Sequence, residues 1–179
     1  PSIITHVAVP LAMYYAAGRG KVSKRLLAAG IITAALPDLD VVAFAFGIPY
    51  ADALGHRGAS HSIVFALLLA FVGGALHRPL RSRPLQAAAW IFVCALSHPL
   101  LDALTSGGLG VALLWPFSGQ SFFAPWRPIL VSSFANGFFS ACGIATLWSE
   151  LRWMWLPLFA AGMAWKLLQR RACTRNAGF

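Results

Sequence analysis

Charge is what this sequence has least of. Only 11% of its 179 residues are charged and only five are acidic, against about a quarter charged in soluble domains. With 59% hydrophobic residues and a mean hydropathy of +0.71, that scarcity excludes a soluble globular domain, whose core could not hide so much apolar surface. Cysteine is scarce too. Cys94, Cys142 and Cys173 stand at no ligand spacing, so a thiolate metal site has no support, and two of them lie in apolar runs where they read as small core residues. Internal repeats, low-complexity segments and domain linkers are lacking, so a single domain over residues 1–179 is expected. The first apolar stretch, Ile3 to Ala17, lacks a basic region before it and an A-x-A site after it. No cleaved signal peptide is expected, and Pro1 reads as the residue that follows a removed Met.

What is there is long apolar runs. Leu26 to Leu36 continuing to Phe46, His61 to Leu76, Leu85 to Leu96 and Ile129 to Trp148 read as membrane-crossing helices, since a bilayer core takes about 20 apolar residues. The expected fold is all-α: a polytopic transmembrane helical bundle of about five spans, with Leu151 to Leu168 as an interfacial or re-entrant segment belted by Trp153, Trp155 and Trp165. Six spans result if that segment crosses.

The net charge of +9 is informative through its distribution. Arg19, Lys21, Lys24 and Arg25 form one short loop, Arg78, Arg81 and Arg83 another, and Lys166, Arg170, Arg171 and Arg175 a tail. Basic clusters confined to the gaps between apolar spans are topology signals that hold those loops in the cytoplasm. No nucleic-acid partner is expected, because no groove-reading helix or interleaved aromatic motif accompanies the charge.

With the basic loops inside, the scarce ionisable groups fall into one layer. His6 lies at the outer start of the first helix, and Asp38 and Asp40 lie twelve to fourteen residues up the second, about 20 Å along at ~1.5 Å per residue. His56 and His61 lead into the third helix from outside, and His98 and Asp102 occupy the outer half of the fourth, four residues apart and on one face. Pro37 opens the second helix at Leu36 and turns the two aspartates into a bend. Intramembrane ionisable groups are costly enough to be functional by default. Imidazoles and carboxylates without thiolates suit zinc, or manganese or iron(II), and the number of candidate ligands allows one ion or two. Some polar residues read more plainly: Ser60 or Ser62 as a cap for the third helix, His77 as a solvated loop residue, and Asp52 as a loop acid without a partner.

The motifs at these positions, "LPDLD" (Leu36 to Asp40), "GHRGASHS" (Gly55 to Ser62), "LSHPLLD" (Leu96 to Asp102) and "LLWPF" (Leu113 to Phe117), with an early His6, resemble those of the bacterial inner-membrane YdjM-type proteins, described as LexA-regulated, membrane-bound, metal-dependent hydrolases. The resemblance spans about Thr5 to Pro128. It implies metal ligands at His6, Asp38, His56, His61, His98 and Asp102. The chain departs from that family's pattern in two places: Val41 stands where the family often carries a histidine, and only Glu150 is there to match the family's late glutamate. The H-x-x-x-D spacing of His98 and Asp102 is also similar to ligand helices of zinc-dependent phospholipase C, an analogy that favours phosphoester substrates.

The resulting expectation is a hydrolase with its site on the periplasmic side of the inner membrane, acting through an ion-activated water on an ester or phosphoester. Asp40 is expected as general base or second bridging ligand, Arg57 as a group that neutralises a phosphate or orients a carboxylate, and Gly58 as the turn between His56 and His61. Trp115, Phe117, Phe122, Phe123 and Trp126, with Arg127, suit a headgroup region and a lipid-like substrate, with membrane lipids as the partners. A metal-ion or proton-coupled transporter, and a scaffold with a structural metal, are the rival classes.

Overall fold

The computed structural model describes residues 1–131 and 140–176, with side chains described up to residue 169. α1 (Ile3–His6) and α2 (Ala8–Ala17) are followed by α3 (Lys24–Ala35), a 3-10 helix over Leu36–Phe46 and a 3-10 turn over Ala59–His61. Then come α4 (Ile63–Ala75), α5 (Pro84–Ala103), α6 (Ala141–Glu150), a π-helical turn over Leu151–Trp155 and α7 (Leu156–Asn176). The described residues contain no strand, only isolated bridges that pair Thr105 with Ile129 and Val111 with Phe122. The all-helical class is as expected.

Local chemistry accounts for the helix ends. Ser23, Ser62 and Ser140 each cap a helix by accepting the N–H of Leu26, Phe65 and Gly143, and Pro84 stands in the first turn of α5, where no N–H is missed. The cap expected at Ser60 or Ser62 is Ser62. Pro37 acts as expected: the α-helix ends at Ala35 and the chain continues as 3-10.

α5 packs against both α3 and α4. Gly30 allows the approach of α3, since a Cβ there would meet Trp90 Nε1 and Cys94 Sγ, and Gly73 does the same for α4 against Ile91. Small residues at such seams let helix backbones close up, the usual contact in a membrane bundle. Outer faces are apolar, with Phe71 exposed by 77% and Leu85 by 80%, a surface that hydrocarbon tolerates and water does not. Two described helices, Lys24–Phe46 and Pro84–Ala103, are long and apolar enough to cross a bilayer; Ile3–Ala17 and Ile63–Ala75 are apolar but shorter.

The two basic loops meet at one end of the bundle, where Gln86 Nε2 donates to the Lys21 carbonyl and an Arg25 N–H to the Pro79 carbonyl. His77 lies at this end, half-buried, with Nδ1 3.2 Å from the Ser82 carbonyl. α3 and α5 start here and carry Asp38, His98 and Asp102 to the opposite end.

The C-terminal third departs from expectation. Ile129 to Trp148 is not one helix: Ile129 is bridged to Thr105 in a loop, residues 132–139 lie outside the described residues, and helix begins only at Ala141. Leu151 to Leu168 is no separate interfacial segment either, because α6 runs through the π turn into α7 without a break. α7 lies along α2. Trp155 Nε1 donates to Thr5 Oγ1 near the start of that pairing, and Lys166 sits 4.2 Å over the Tyr15 ring near its end. α7 therefore returns the chain toward the basic loops, the course first assigned to Ile129 to Trp148. The tail arginines Arg170, Arg171 and Arg175 lie beyond the described side chains.

Candidate metal centre

The end of α3 shapes the site. In a 3-10 turn the donor that reaches the Ala34 carbonyl is residue 37, a proline with no N–H. His98 Nδ1 of α5 takes that oxygen instead, at 2.6 Å. A carbonyl can only accept, so Nδ1 carries the proton and Nε2 is left with a lone pair facing the bundle interior.

Asp40 sets the other two histidines in the same way. Its Oδ1 lies 2.6 Å from His56 Nδ1, and its Oδ2 accepts from Ser60 Oγ at 2.6 Å and from the Arg57 N–H at 3.1 Å. His61 Nδ1 stands 2.9 Å from Ser60 Oγ and 3.2 Å from Asp40 Oδ2. The serine hydroxyl has given its one proton to Asp40, so His61 Nδ1 must donate. Carboxylates behind metal-binding imidazoles fix their tautomers in this manner.

Two Nε2 lone pairs therefore face each other, His61 and His98 at 3.1 Å. Around them stand Asp102 Oδ2, 3.2 Å from His61 Nε2 and 3.7 Å from His98 Nε2, and Asp38 Oδ1, 3.4 Å from His98 Nε2. His6 stacks on His98 with ring centroids 3.5 Å apart, its Nε2 3.7 Å from Asp102 and 3.9 Å from Asp38. His6, His61 and His98 have no exposed surface and Asp102 has 2%. Both nitrogens of His6, with Asp102 Oδ2, lack a hydrogen-bond partner. Buried polar atoms without partners cost about 1–3 kcal/mol each, and apposed lone pairs repel. A divalent cation relieves both, since neighbouring donors on one ion with bonds of ~2.0–2.1 Å stand roughly 3 Å apart.

All seven expected ligands come to this end of the bundle. Six fall into two ligand sets, His6 with Asp38, His98 and Asp102, and Asp38 with His56 and His61. Asp40 does not join them. The expectation of Asp40 as ligand or general base gives way to an outer carboxylate whose oxygens already accept from three donors.

Arg57 fits one of its two expected roles. Its Nε lies 3.3 Å from Asp102 Oδ2, its two terminal nitrogens donate to the Gly107 carbonyl and Thr105 Oγ1, and it is 6% exposed. Of the two roles expected for it, the geometry matches the orienting of a carboxylate and leaves the phosphate clamp without support. The turn also differs: Arg57, not Gly58, has the left-handed backbone, at φ 69°, a strained state held by its many contacts. Gly58 is needed for close approach, since a Cβ there would meet the Ala53 carbonyl oxygen.

Residues not expected as ligands or catalytic groups also build the site. Ser60 and Thr105 hold Asp40 and Arg57. Glu150, buried at the end of α6, accepts from the Ser2 N–H, from Ser2 Oγ at 2.7 Å and from Thr5 Oγ1 at 2.7 Å. It holds the segment that carries His6. Its signal in the sequence was an acid inside an apolar run. Asp52 does have a partner, accepting from the Leu54 N–H.

A cavity of about 220 Å³ opens beside the centre, lined among others by Tyr50, Asp52, His56, Arg57, Leu109 and Trp115. Burial raises the Tyr50 phenol above its ordinary pKa, against the lowering pull of Arg57, so it stays a neutral hydroxyl. Of the aromatic loop, Phe117 is exposed by 86%, while Arg127 stacks over Phe123 at 4.6 Å.

The family described as YdjM inner membrane protein matches residues 2–173. Inner membrane protein YbcI of Escherichia coli (strain K12) is 45% identical over 171 residues, 92% of this chain and 97% of that protein. Inner membrane protein YdjM of the same organism is 35% identical over 146 residues, 74% of this chain and 66% of that protein. No solved structure matches significantly.

Proposed function

The chain belongs to the YdjM family of inner membrane proteins, and on that premise we propose that it is a multi-pass, metal-dependent hydrolase of an ester or phosphoester in a lipid or lipid-linked substrate. The observation that carries this reading is the pair of Nε2 lone pairs facing each other at 3.1 Å beside buried, unpartnered His6 and Asp102 atoms and next to a cavity. His6, Asp38, His56, His61, His98 and Asp102 would hold the metal, zinc being the ion that best suits this nitrogen and oxygen set. When bound, it supplies Lewis acidity and a water acidic enough to ionise near neutral pH. The protein's own part is positional. Asp40 keeps the Nδ1 protons on His56 and His61, Arg57 keeps Asp102 turned inward, and the loop over residues 104–131 roofs the "GHRGASHS" stretch through bonds such as Ala112 N–H to the Arg57 carbonyl.

The five crossings in this reading are α1 with α2, α3 with its 3-10 extension, α4, α5 and α7. They leave both basic loops and the tail in the cytoplasm and the metal centre toward the periplasm, at the depth where a headgroup bond would lie.

Protein purified in detergent without chelators is expected to release water-soluble product from a labelled inner-membrane lipid extract, to lose that activity on chelation and to regain it with zinc. Vesicles that instead take up zinc, with no lipid cleaved, would establish the transporter.

Sidedness has its own measurement. In a background with Cys142 and Cys173 replaced by serine, Gly119→Cys should react with an impermeant thiol reagent added to spheroplasts, and Ser82→Cys should react only after lysis. A Cβ at Gly119 meets nothing within 4 Å, so the probe itself does not perturb the fold. The reverse labelling pattern would place the centre in the cytoplasm.

A further inference from the structure

We propose that the centre holds two divalent cations with different duties: a closed one held by His6, Asp38, His98 and Asp102, and an open one held by Asp38, His56 and His61, with Asp38 shared between them. This deepens the hydrolase reading and rests on it for the duty of the open ion, but the pairing of ions stands on the ligand geometry.

In each set the donor atoms lie within 4.8 Å of one another, and Asp38 is the one residue in both. The closed set has four donors, the number that completes a tetrahedral ion and leaves no place for water or substrate. Its histidines have no exposed surface, Asp102 has 2%, and it contains three of the five buried side-chain atoms that lack a hydrogen-bond partner among the described residues, His6 Nδ1, His6 Nε2 and Asp102 Oδ2. Such a set is a built site whose exposed member is the carboxylate it shares, Asp38.

The open set has three protein donors, the arrangement of catalytic zinc sites, in which a fourth position is kept for water or substrate. It is also the set that meets the cavity, through His56. Asp40 lies behind both of its histidines and Ser60 locks Asp40 in turn, so the three ligands are held without closing the front. Asp38 can serve both positions because it stands among the donors of both, with Oδ1 3.4 Å from His98 Nε2 and Oδ2 3.9 Å from His6 Nε2 and a carboxylate oxygen within 4.8 Å of the His56 and His61 donors, and it is the more accessible carboxylate, 17% against 2% for Asp102. His61 Nε2 stands 3.1 Å from His98 Nε2, so the two positions adjoin, as in paired hydrolytic sites where the ions lie ~3.5–4 Å apart. The closed ion then organises the bundle core, and the open ion meets the substrate.

The test counts metal. Full-length protein in detergent, loaded with zinc and exchanged into metal-free buffer, should carry two equivalents per chain by mass spectrometry. Timed exposure to a chelator should remove them in two phases: a fast one that ends hydrolysis and leaves the melting temperature unchanged, and a slow one that lowers the melting temperature. His56→Ala should keep one equivalent and only the slow phase. His6→Ala should keep one equivalent and only the fast phase, and His6→Gln, which retains most of the volume, gives the same answer if the alanine variant does not fold. One equivalent in the unaltered protein, a single phase of loss, or His6 and His56 variants that lack the same ion would overturn the proposal. Two equivalents and two phases in a protein that cleaves no lipid would support the paired ions and overturn the hydrolase.

Discussion

His61→Ala is expected to remove the cavity-facing metal and reduce hydrolysis by on the order of a thousandfold or more, the several kcal/mol that an ion contributes to a developing charge. Its Nε2 stands 3.1 Å from His98 Nε2 and 3.2 Å from Asp102 Oδ2, and a methyl group supplies no lone pair to replace it. Asp40→Asn separates ligand loss from ligand orientation. An asparagine fits the space, but its amide group presents donors where Asp40 accepts from His56, Ser60 and the Arg57 N–H. A ring that must accept at Nδ1 carries its proton on Nε2 and cannot bind metal there. Metal affinity should fall roughly 10- to 100-fold, the usual cost of removing an outer-sphere partner, and excess zinc should restore part of the activity of Asp40→Asn but none of that of His61→Ala. Chelator-competition titration beside hydrolysis rates reads both. Equal, unrescuable losses in the two variants would make Asp40 a ligand after all.

Arg57 shows where residue types stop short of roles. A guanidinium beside two histidines suits a phosphate clamp and a carboxylate brace equally well, and only the fold, which sets Asp102 at 3.3 Å from Nε, separates them. Asp38 and Asp40 are a similar case. In "LPDLD" both acids follow a helix-breaking proline, and both read as ligands. Their difference comes from the 3-10 geometry: at three residues per turn, positions two apart point about 120° away from each other, so Asp38 faces His6 and His98 while Asp40 faces His56 and His61. The convergence itself was legible, because histidines and acids at membrane depth are too costly to scatter and basic loops orient the helices without reference to the site. The C-terminal third was not. No charge interrupts Ile129 to Trp148, so Ser132, Ser133, Asn136, Gly137 and Ser140 pass for small polar residues within one apolar span, although Ile129 pairs with Thr105 and helix starts behind Ser140. Trp165 belongs to α7, packed along α2, Trp153 meets Trp126, and Trp155, in the π turn before α7, bonds Thr5, a partner 150 residues away that local pattern cannot reveal.

Glu150→Ala should be the most destabilising single change outside the ligand sets. Glu150 is 1% exposed and accepts from three groups near the N-terminus: the Ser2 N–H, the Ser2 hydroxyl and the Thr5 hydroxyl. Alanine leaves all three buried without an acceptor, at about 1–3 kcal/mol each, a loss on the order of 3–5 kcal/mol after some relaxation. The melting temperature should fall by roughly 10 °C at ~2–4 °C per kcal/mol for a chain of this size. Glu150→Gln keeps one acceptor oxygen and should lose about half as much, and Ser2→Ala, which removes one donor and leaves the backbone N–H bonded, less again. Metal follows stability here through one residue: Thr5 adjoins His6, so a freed N-terminal segment carries His6 away from Asp38 and Asp102. Glu150→Ala should therefore release the slowly exchanging ion, the one assigned to His6, and keep the fast one assigned to His56, although Glu150 touches neither. A Glu150→Ala protein that melts with the unaltered chain, or that sheds the fast ion first, would show that the N-terminal segment is held by other means.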